Sequence, residues 1–412
     1  MSEILTTEGI PLKVSLKRAE RINKIRALVL VLPLTLFIII TFVIPILSML
    51  LRSVDDKQIN TVFPKTFKIY EQWDQKELPS EEMYATLFNE VMTADKRQIG
   101  KASTRMNYSK SGWKSLIKKS KRKFKKIKEG PYKEKMIAID KRWGKMEFWQ
   151  AMGQMIDPYT AGYYLNAVDL KYDSNRKIVQ QPKKRRIYNH TWIKTFKVSI
   201  LVTLFCLILG YPIAHLLATL PLKYSNLLMI FVLLPFWTSL LVRTVSWIII
   251  LMKKGVFNSI LVWAGIIADE NRMQLIYNET GTLIAMTQIL LPFMVLPLYS
   301  VMKTIPPSYM RAALNLGAQP MHAFYRVYMP QTVPGISAGG LLVFVLAIGY
   351  FITPELVGGS DGLLIGHFIA FHLKTTLNWG LCAALGAILL AVMLVLYWVY
   401  NKVVGIENIK LG

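Results

Sequence analysis

Arg311-Ala-Ala-Leu-Asn-Leu-Gly317, followed after nine residues by Val327-Tyr328-Met329-Pro330, lies between two strongly apolar stretches and decides how the rest of the chain is read. The spacing predicts two short helices joined at a glycine. Pro306 and Pro307 can only precede or open a helix, Ser308 is the expected N-cap, and Gly317 falls where a helix ends on a left-handed residue. Pro320 suits the first turn of the next helix. Met310, Ala313, Leu314 and Gly317 recur at i, i+3, i+4 and i+7, and Met321, Phe324, Tyr325 and Tyr328 repeat that spacing. Each helix therefore carries one apolar face, and a short loop of this kind is suited to dock into something.

The flanking stretches set the class. The chain is 53% hydrophobic with mean hydropathy +0.35, and runs of about 20 apolar residues suit membrane-spanning helices. Such runs fall near residues 27–51, 198–220, 227–251, 283–302, 336–356 and 381–400. The expected fold is all-α, a polytopic bundle of six transmembrane helices. The first run is too long and follows too polar a head to be a cleaved signal peptide, so it reads as a retained span. Pro33, Pro45, Pro212, Pro235, Pro292, Pro297 and Pro354 predict kinked helices around a pathway. Cys206 and Cys382 both sit in apolar runs, where they serve packing rather than a disulfide or a metal.

Lysines and arginines near the short loops give the orientation. Lys13, Lys17, Arg18, Arg21, Lys24 and Arg26 place the head, residues 1–26, in the cytoplasm. Six crossings return the tail, residues 405–412, to the same side. The core at 191–404 then presents its loop, 303–335, to the cytoplasm. Between the first span and this core lies an extracytoplasmic insert, 52–190, with 31 Lys plus Arg against 16 Asp plus Glu, which carries +15 of the chain's +25. Segments longer than about 60 residues translocate largely regardless of charge, so the insert does not overturn the topology. Its basic run, Lys114 to Lys128, reads as a solvated charged helix or disordered stretch; the alternative is a basic amphipathic helix held by anionic headgroups or an acidic partner. An extracytoplasmic position argues against nucleic acid as its ligand.

Residues 311–330 resemble the loop that membrane subunits of ABC-type importers present to their ATPases: Glu-Ala-Ala, three residues, Gly, nine residues, Ile, one residue, Leu-Pro. Ala312, Ala313, Gly317 and Pro330 match, Val327 and Met329 are apolar substitutes, and Arg311 stands where the family has glutamate. Pro235-Phe-Trp-Thr-Ser-Leu-Leu-Val-Arg243 with Trp247, Gly255 and Asn258, then Pro292 to Pro297, then Tyr350 to Gly359, are similar to signatures of the spermidine/putrescine permeases. The resemblance covers 27–51 and about 192–404 and leaves out the insert. It implies a type I ABC importer permease for a small organic solute, a polyamine first, located in the bacterial inner membrane. The implied partners are a second permease, two ATP-binding subunits holding ATP and Mg, and a periplasmic substrate-binding protein. No Gly-x-x-x-x-Gly-Lys-Ser/Thr loop occurs in the chain, so the resemblance assigns hydrolysis to a separate subunit and no cofactor or enzyme activity to this one.

Candidate coupling residues are then Arg311, Ala312, Ala313, Gly317, Val327, Met329 and Pro330, and candidate substrate-pathway residues are Trp237, Ser239, Arg243, Trp247, Tyr350, Thr353 and Glu355. Aromatic faces attract ammonium groups, yet the same aromatics also serve packing or the interfacial belt. Arg243 either faces the pathway or snorkels to headgroups, and Glu355 either meets a cation, pairs with Arg243 or is simply solvated. His215 and Gln288 are expected to make helix-to-helix hydrogen bonds. No nucleophile motif is present, and the five histidines are scattered. The alternatives, a membrane enzyme or carrier without an ATPase and a membrane-anchored scaffold using the basic insert, lack comparable motifs.

Overall fold

A computed structural model describes residues 12–173 and 177–402, with side chains from Glu20 onward. The chain is almost wholly helical; the exception among the described residues is one hairpin, Leu170–Tyr172 paired antiparallel with Ile178–Gln180. Five helices are long and apolar enough to cross a membrane, and a bent helix pair makes a sixth candidate.

The centre of the bundle is the second span, Tyr188–Thr219, packed on Glu279–Thr304 and Val333–Ile348. Lipid offers no hydrophobic drive for helices to associate, so close backbone approach has to supply the attraction. Gly335 and Gly339 provide it. A β-carbon on Gly339 would stand 2.9 Å from Met294 Sδ and 3.1 Å from Met294 O, and one on Gly335 would stand 3.2 Å from Leu298 Cα. Met294, Val295, Leu298, Val202 and Cys206 fill the shared interior. Cys206 donates its thiol to Thr287 O at 3.4 Å, in keeping with a packing role.

Two expected spans are interrupted. The apolar run at 227–251 is not one helix: Leu222–Trp237 ends at Thr238, Ser239 is extended, and a new helix runs Leu240–Leu251, continued after Gly255 by Val256–Trp263. The run at 336–356 stops at Ile348, and Ile352–Val357 is a separate short helix. At its other end, Pro320–Gln331 meets Val333–Ile348 at a 60° bend. The sixth span is Trp379–Tyr400. The first helix starts at Leu12, well before the expected boundary, and reaches Arg52 through a π-turn at Ile39–Val43. A second π-turn, Phe324–Tyr328, lies in the loop. Each ends two residues before a proline, Pro45 or Pro330, whose missing N–H leaves a carbonyl of the preceding turn without its usual donor. The expected tail and the first eleven residues of the head lie outside the described residues.

The insert folds, contrary to the solvated or disordered reading of its basic run. Helices Pro64–Tyr70, Glu81–Thr93, Lys96–Ser109, Trp113–Phe124, Tyr132–Ile139 and Met146–Gly153 enclose a core of their own. Trp113, Trp143, Trp149, Tyr84, Phe63 and Phe124 are fully buried in it. Tyr84 and Trp149 meet edge to face at 4.7 Å, and the Tyr84 hydroxyl donates to Trp143 O. Arg142 and Lys119 both pair with Asp140, and the Arg142 hydrogen bond holds that carboxyl below the usual range.

The inner part of the insert joins three spans. Asp56, just past the first span, is buried and receives two hydrogen bonds from Arg105, Nε at 2.6 Å and Nη2 at 2.5 Å. The guanidinium lies 4.8 Å over Tyr163, whose ring packs on Gly380 at the start of the sixth span. Tyr108 donates to Thr376 O at 2.6 Å, and Arg52 stacks on Trp379. Asp169 caps the second span by accepting from the amides of Ile187, Tyr188 and Asn189. The first span has no buried residue along its apolar window, so this junction is its main attachment.

Candidate functional site

The loop at 306–331 is built as its sequence implies, with one change at its start. Pro306 occupies the N-cap position and Pro307 opens the helix Pro307–Asn315, so Ser308 lies inside the first turn and caps nothing. The helix closes with Gly317 at φ +87°, its amide donating to Leu314 O at 3.0 Å, while Ala318 N donates to Ala313 O at 3.1 Å. These two bonds form the Schellman closure, which satisfies carbonyls at the helix end and requires a left-handed residue. Pro320 then opens the second helix from Gln319.

The two apolar faces are divided between two surfaces. Met310, Phe324 and Tyr328 turn toward the bundle and pack with its core. Phe324 and Tyr328 receive the His215 ring edge-on at 5.4 Å and 5.0 Å, and Tyr211 OH lies 3.2 Å from Thr332 Oγ1. His215 therefore acts through ring packing; its Nδ1 is buried without a hydrogen-bond partner, which corrects the expected helix-to-helix bond. The remaining apolar side chains face outward. Leu316 is 89% exposed and Met321 66%, with Tyr309, Leu314 and Tyr325 also uncovered. Arg311, Ala312, Gly317 and Pro330 are exposed beside them, whereas Ala313, Val327 and Met329 are half-buried. A rigid base on the second span thus holds an uncovered apolar rim.

The candidate pathway residues divide as well. Trp237, 86% exposed, and Ser239 mark the break in the third run. Arg243 lies one turn further, and its Nε is buried without a partner. Thr244 and Thr353 hydroxyls approach to 3.3 Å, and Tyr350 lies by Thr353 within reach of the Arg243 charge. Arg243, Tyr350 and Thr353 are therefore neighbours, with Thr244 a fourth member that its sequence gave no reason to select. Trp247 donates to Gln288 Oε1 at 3.1 Å, the expected interhelical bond for Gln288. Glu355 does not pair with Arg243; His367 Nδ1 stands 3.7 Å from it. Phe351 is met at 5.8 Å by Lys374 of the same chain. Asn258 braces the loop between Leu251 and Glu279, donating to Met252 O and Met273 O and accepting from Met273 N. Among the described residues, no group of three or more His, Cys, Asp or Glu side chains is placed to hold a metal.

Residues 181–404 match the family described as the binding-protein-dependent transport system inner membrane component, over more than half of the chain. The chain belongs to this family. It is thus a multi-pass permease subunit of an ABC importer. The permease protein PotB of the spermidine/putrescine transport system of Salmonella typhimurium is 38% identical over 215 residues, 52% of this chain and 74% of that protein. PotB of Escherichia coli K12 is 37% identical over 228 residues, covering 54% and 82%. The E. coli inner membrane ABC transporter permease protein YdcU is 30% identical over 223 residues, covering 52% and 71%. A crystal structure of a bacterial alginate ABC transporter in complex with its pentasaccharide-bound periplasmic protein aligns at TM-score 0.45 and 19% identity, over 55% of this permease and 80% of that chain. Most of the insert lies ahead of the matched residues.

Proposed function

We propose that this permease forms half of the translocation pathway of an importer for polyamines of the spermidine and putrescine class. It pairs with a second permease, receives its solute from a periplasmic binding protein, and is driven by two separate ATP-binding subunits that hold ATP and Mg. The solute class is supported by the likeness to the two PotB proteins. Both termini lie in the cytoplasm in this reading, and the insert outside.

The observation that carries the coupling role is the loop itself. Its closure at Gly317 and its seat on Tyr211 and His215 leave Leu316, Met321 and Tyr325 uncovered at the end of the bundle. A rigid apolar projection can follow the ATPases as they close on ATP and pass that motion to Val333–Ile348 through the 60° bend, a rigid-body transition imposed at one interface. Arg311 is exposed on this surface, so the facing ATPase site would offer a carboxylate or a carbonyl where the family's usual glutamate would require a cation. The pathway residues in this reading are Trp237, Ser239, Arg243, Trp247, Tyr350, Thr353 and Glu355, of which Arg243, Tyr350 and Thr353 lie together. Uptake of labelled spermidine by the four-subunit complex with its binding protein in proteoliposomes tests this function. ATP-dependent uptake supports it; uptake by the permease alone, or none with polyamines while another solute enters, overturns the corresponding part.

A further inference from the structure

The insert buries four of its carboxylates and almost none of its cations. Asp56, Glu90, Asp140 and Asp169 are buried and occupied by Arg105, by the amides at Lys65 and Thr66, by Arg142 and Lys119, and by the cap of the second span. Of the insert's cations, Arg105 alone among the described residues is buried. The surface excess is therefore larger than the formal +15.

This excess is densest on one helix face. Trp113, Leu116, Ile117, Ser120 and Phe124 bury one side of Trp113–Phe124 in the insert's core. The opposite side and the turn after it expose Lys114, Lys118, Arg122, Lys123, Lys125 and Lys126, and no carboxylate among the described residues pairs with any of them. Lys114, Lys118 and Arg122 follow one another every four residues, about 6 Å apart by the helical rise, and Lys126 lies in the turn that follows the helix. Protein interfaces are enriched in aromatic, Met and Arg anchors and depleted in lysine, and this face offers one arginine, Arg122, among five lysines. Here every apolar side chain of Trp113–Phe124 is spent on the insert's own core. An amphipathic helix that dips into lipid is excluded by the same burial. What remains is a stripe of hydrated point charges, suited to a surface of many phosphates.

One phosphate surface is always within reach. The insert is tied to the bundle at both ends, through Arg52 and Tyr188, and this helix begins four residues after Ser109, the end of the helix whose Tyr108 bonds Thr376, close to the start of the sixth span. Tethering raises the effective concentration of the adjacent bilayer far above that of any soluble polyanion. We infer that the Lys114 to Lys126 face docks the insert electrostatically on anionic phospholipid headgroups beside the bundle. The inference rests on the spans and the folded insert, and not on which solute is carried.

The test uses the full chain in nanodiscs with a fluorophore on Ser115→Cys, an exposed position beside the stripe; Cys206 and Cys382 are buried. A headgroup-bound quencher reports docking in discs of phosphatidylcholine alone and of phosphatidylcholine with phosphatidylglycerol. Quenching should rise with phosphatidylglycerol and disappear in 0.5 M salt. Lys118→Gln/Arg122→Gln/Lys125→Gln should lower the docked-to-undocked ratio about 100-fold, each charge near the surface being worth about fivefold. Quenching that ignores lipid charge or salt overturns the inference, as does quenching retained by the triple variant. Docking that occurs only after an acidic soluble protein is added overturns it in favour of a protein partner. The salt arm needs no charge substitution, so it stands if the triple variant misfolds, and none of these readouts depends on transport.

Discussion

Removing the Asp56 carboxylate is the most informative single perturbation of the architecture. Arg105 is buried, makes two of its hydrogen bonds to Asp56 at 2.6 Å and 2.5 Å, and has Ser109 Oγ at 2.8 Å as a further side-chain acceptor. Asp56→Ala leaves that guanidinium as an uncompensated buried charge, at a cost of about 3–5 kcal/mol. The double variant Asp56→Ala/Arg105→Met removes both charges and retains most of the packing against Tyr163, so it should recover the greater part of the loss. Urea unfolding followed by the fluorescence of Trp113, Trp143 and Trp149 reads the insert's stability in mild detergent. At about 1.4 kcal/mol per tenfold, the single variant should shift the unfolding equilibrium by a factor of roughly 10² to 10³ or more. Because the same pair lies where the insert joins the first and sixth spans, proteolysis near residues 52–56 should accelerate in parallel. A single variant that costs less than about 1 kcal/mol, or a double variant less stable than the single one, would refute the buried-pair reasoning.

Gly339→Val should disrupt the packing of Val333–Ile348 on Met294, since even a β-carbon would stand 2.9 Å from its sulfur; a loss of about 1–3 kcal/mol in thermal stability is expected, and an unchanged melting curve would contradict the close approach. Trp247→Phe leaves Gln288 without its indole donor and should destabilise the bundle by about 0.6 kcal/mol, read by steric-trap or denaturant unfolding in bicelles. His372 is held by Tyr188 OH at 2.7 Å and Thr376 Oγ1 at 2.9 Å, and burial lowers its pKa to about 4. The folded state then resists protonation while the unfolded state takes it up near pH 6.5. The junction of insert and bundle should keep its full stability above that pH and lose it progressively as pH falls toward about 4, as measured by hydrogen exchange at Tyr188 and Thr376. His372→Gln should flatten this dependence, and an unaltered profile would remove His372 as its source.

The loop was legible because its signals are local. Pro306, Pro307, Gly317 and Pro320 each fix a backbone conformation within a few residues, and all four stand where a helix start or end requires them. The partition of its apolar face was not legible, because Tyr211 and His215, which choose Phe324 and Tyr328 over Met321 and Tyr325, lie more than 100 residues away in sequence. The same distance hid the pairing of Thr244 with Thr353. The break at Thr238–Ser239 was obscured by continuous apolarity, which records burial in lipid but not continuity of the helix, although Pro235 marked the place. In the insert, Trp113, Leu116, Ile117, Ser120 and Phe124 follow a helical period. Their signal was masked by the lysines between them, and the aromatic partners that complete the core, Tyr84, Trp143 and Trp149, come from other helices. Glu355 met His367 instead of Arg243 because the Gly358-Gly359 turn, with Gly359 at φ +56°, folds the following segment back.

Cross-linking at Leu316 tests the coupling role most directly. Leu316 projects from the loop beside Gly317, so Leu316→Cys in the assembled complex should form a short-span cross-link to the ATP-binding subunit, with a yield that changes between nucleotide-free and ATP-bound states. Adding Gly317→Val, which puts a β-branched residue at φ +87°, should abolish the cross-link and release the ATPase during purification. Absence of any cross-link from Leu316, or labelling of this cysteine by a membrane-impermeant reagent from outside intact cells, would contradict the coupling role.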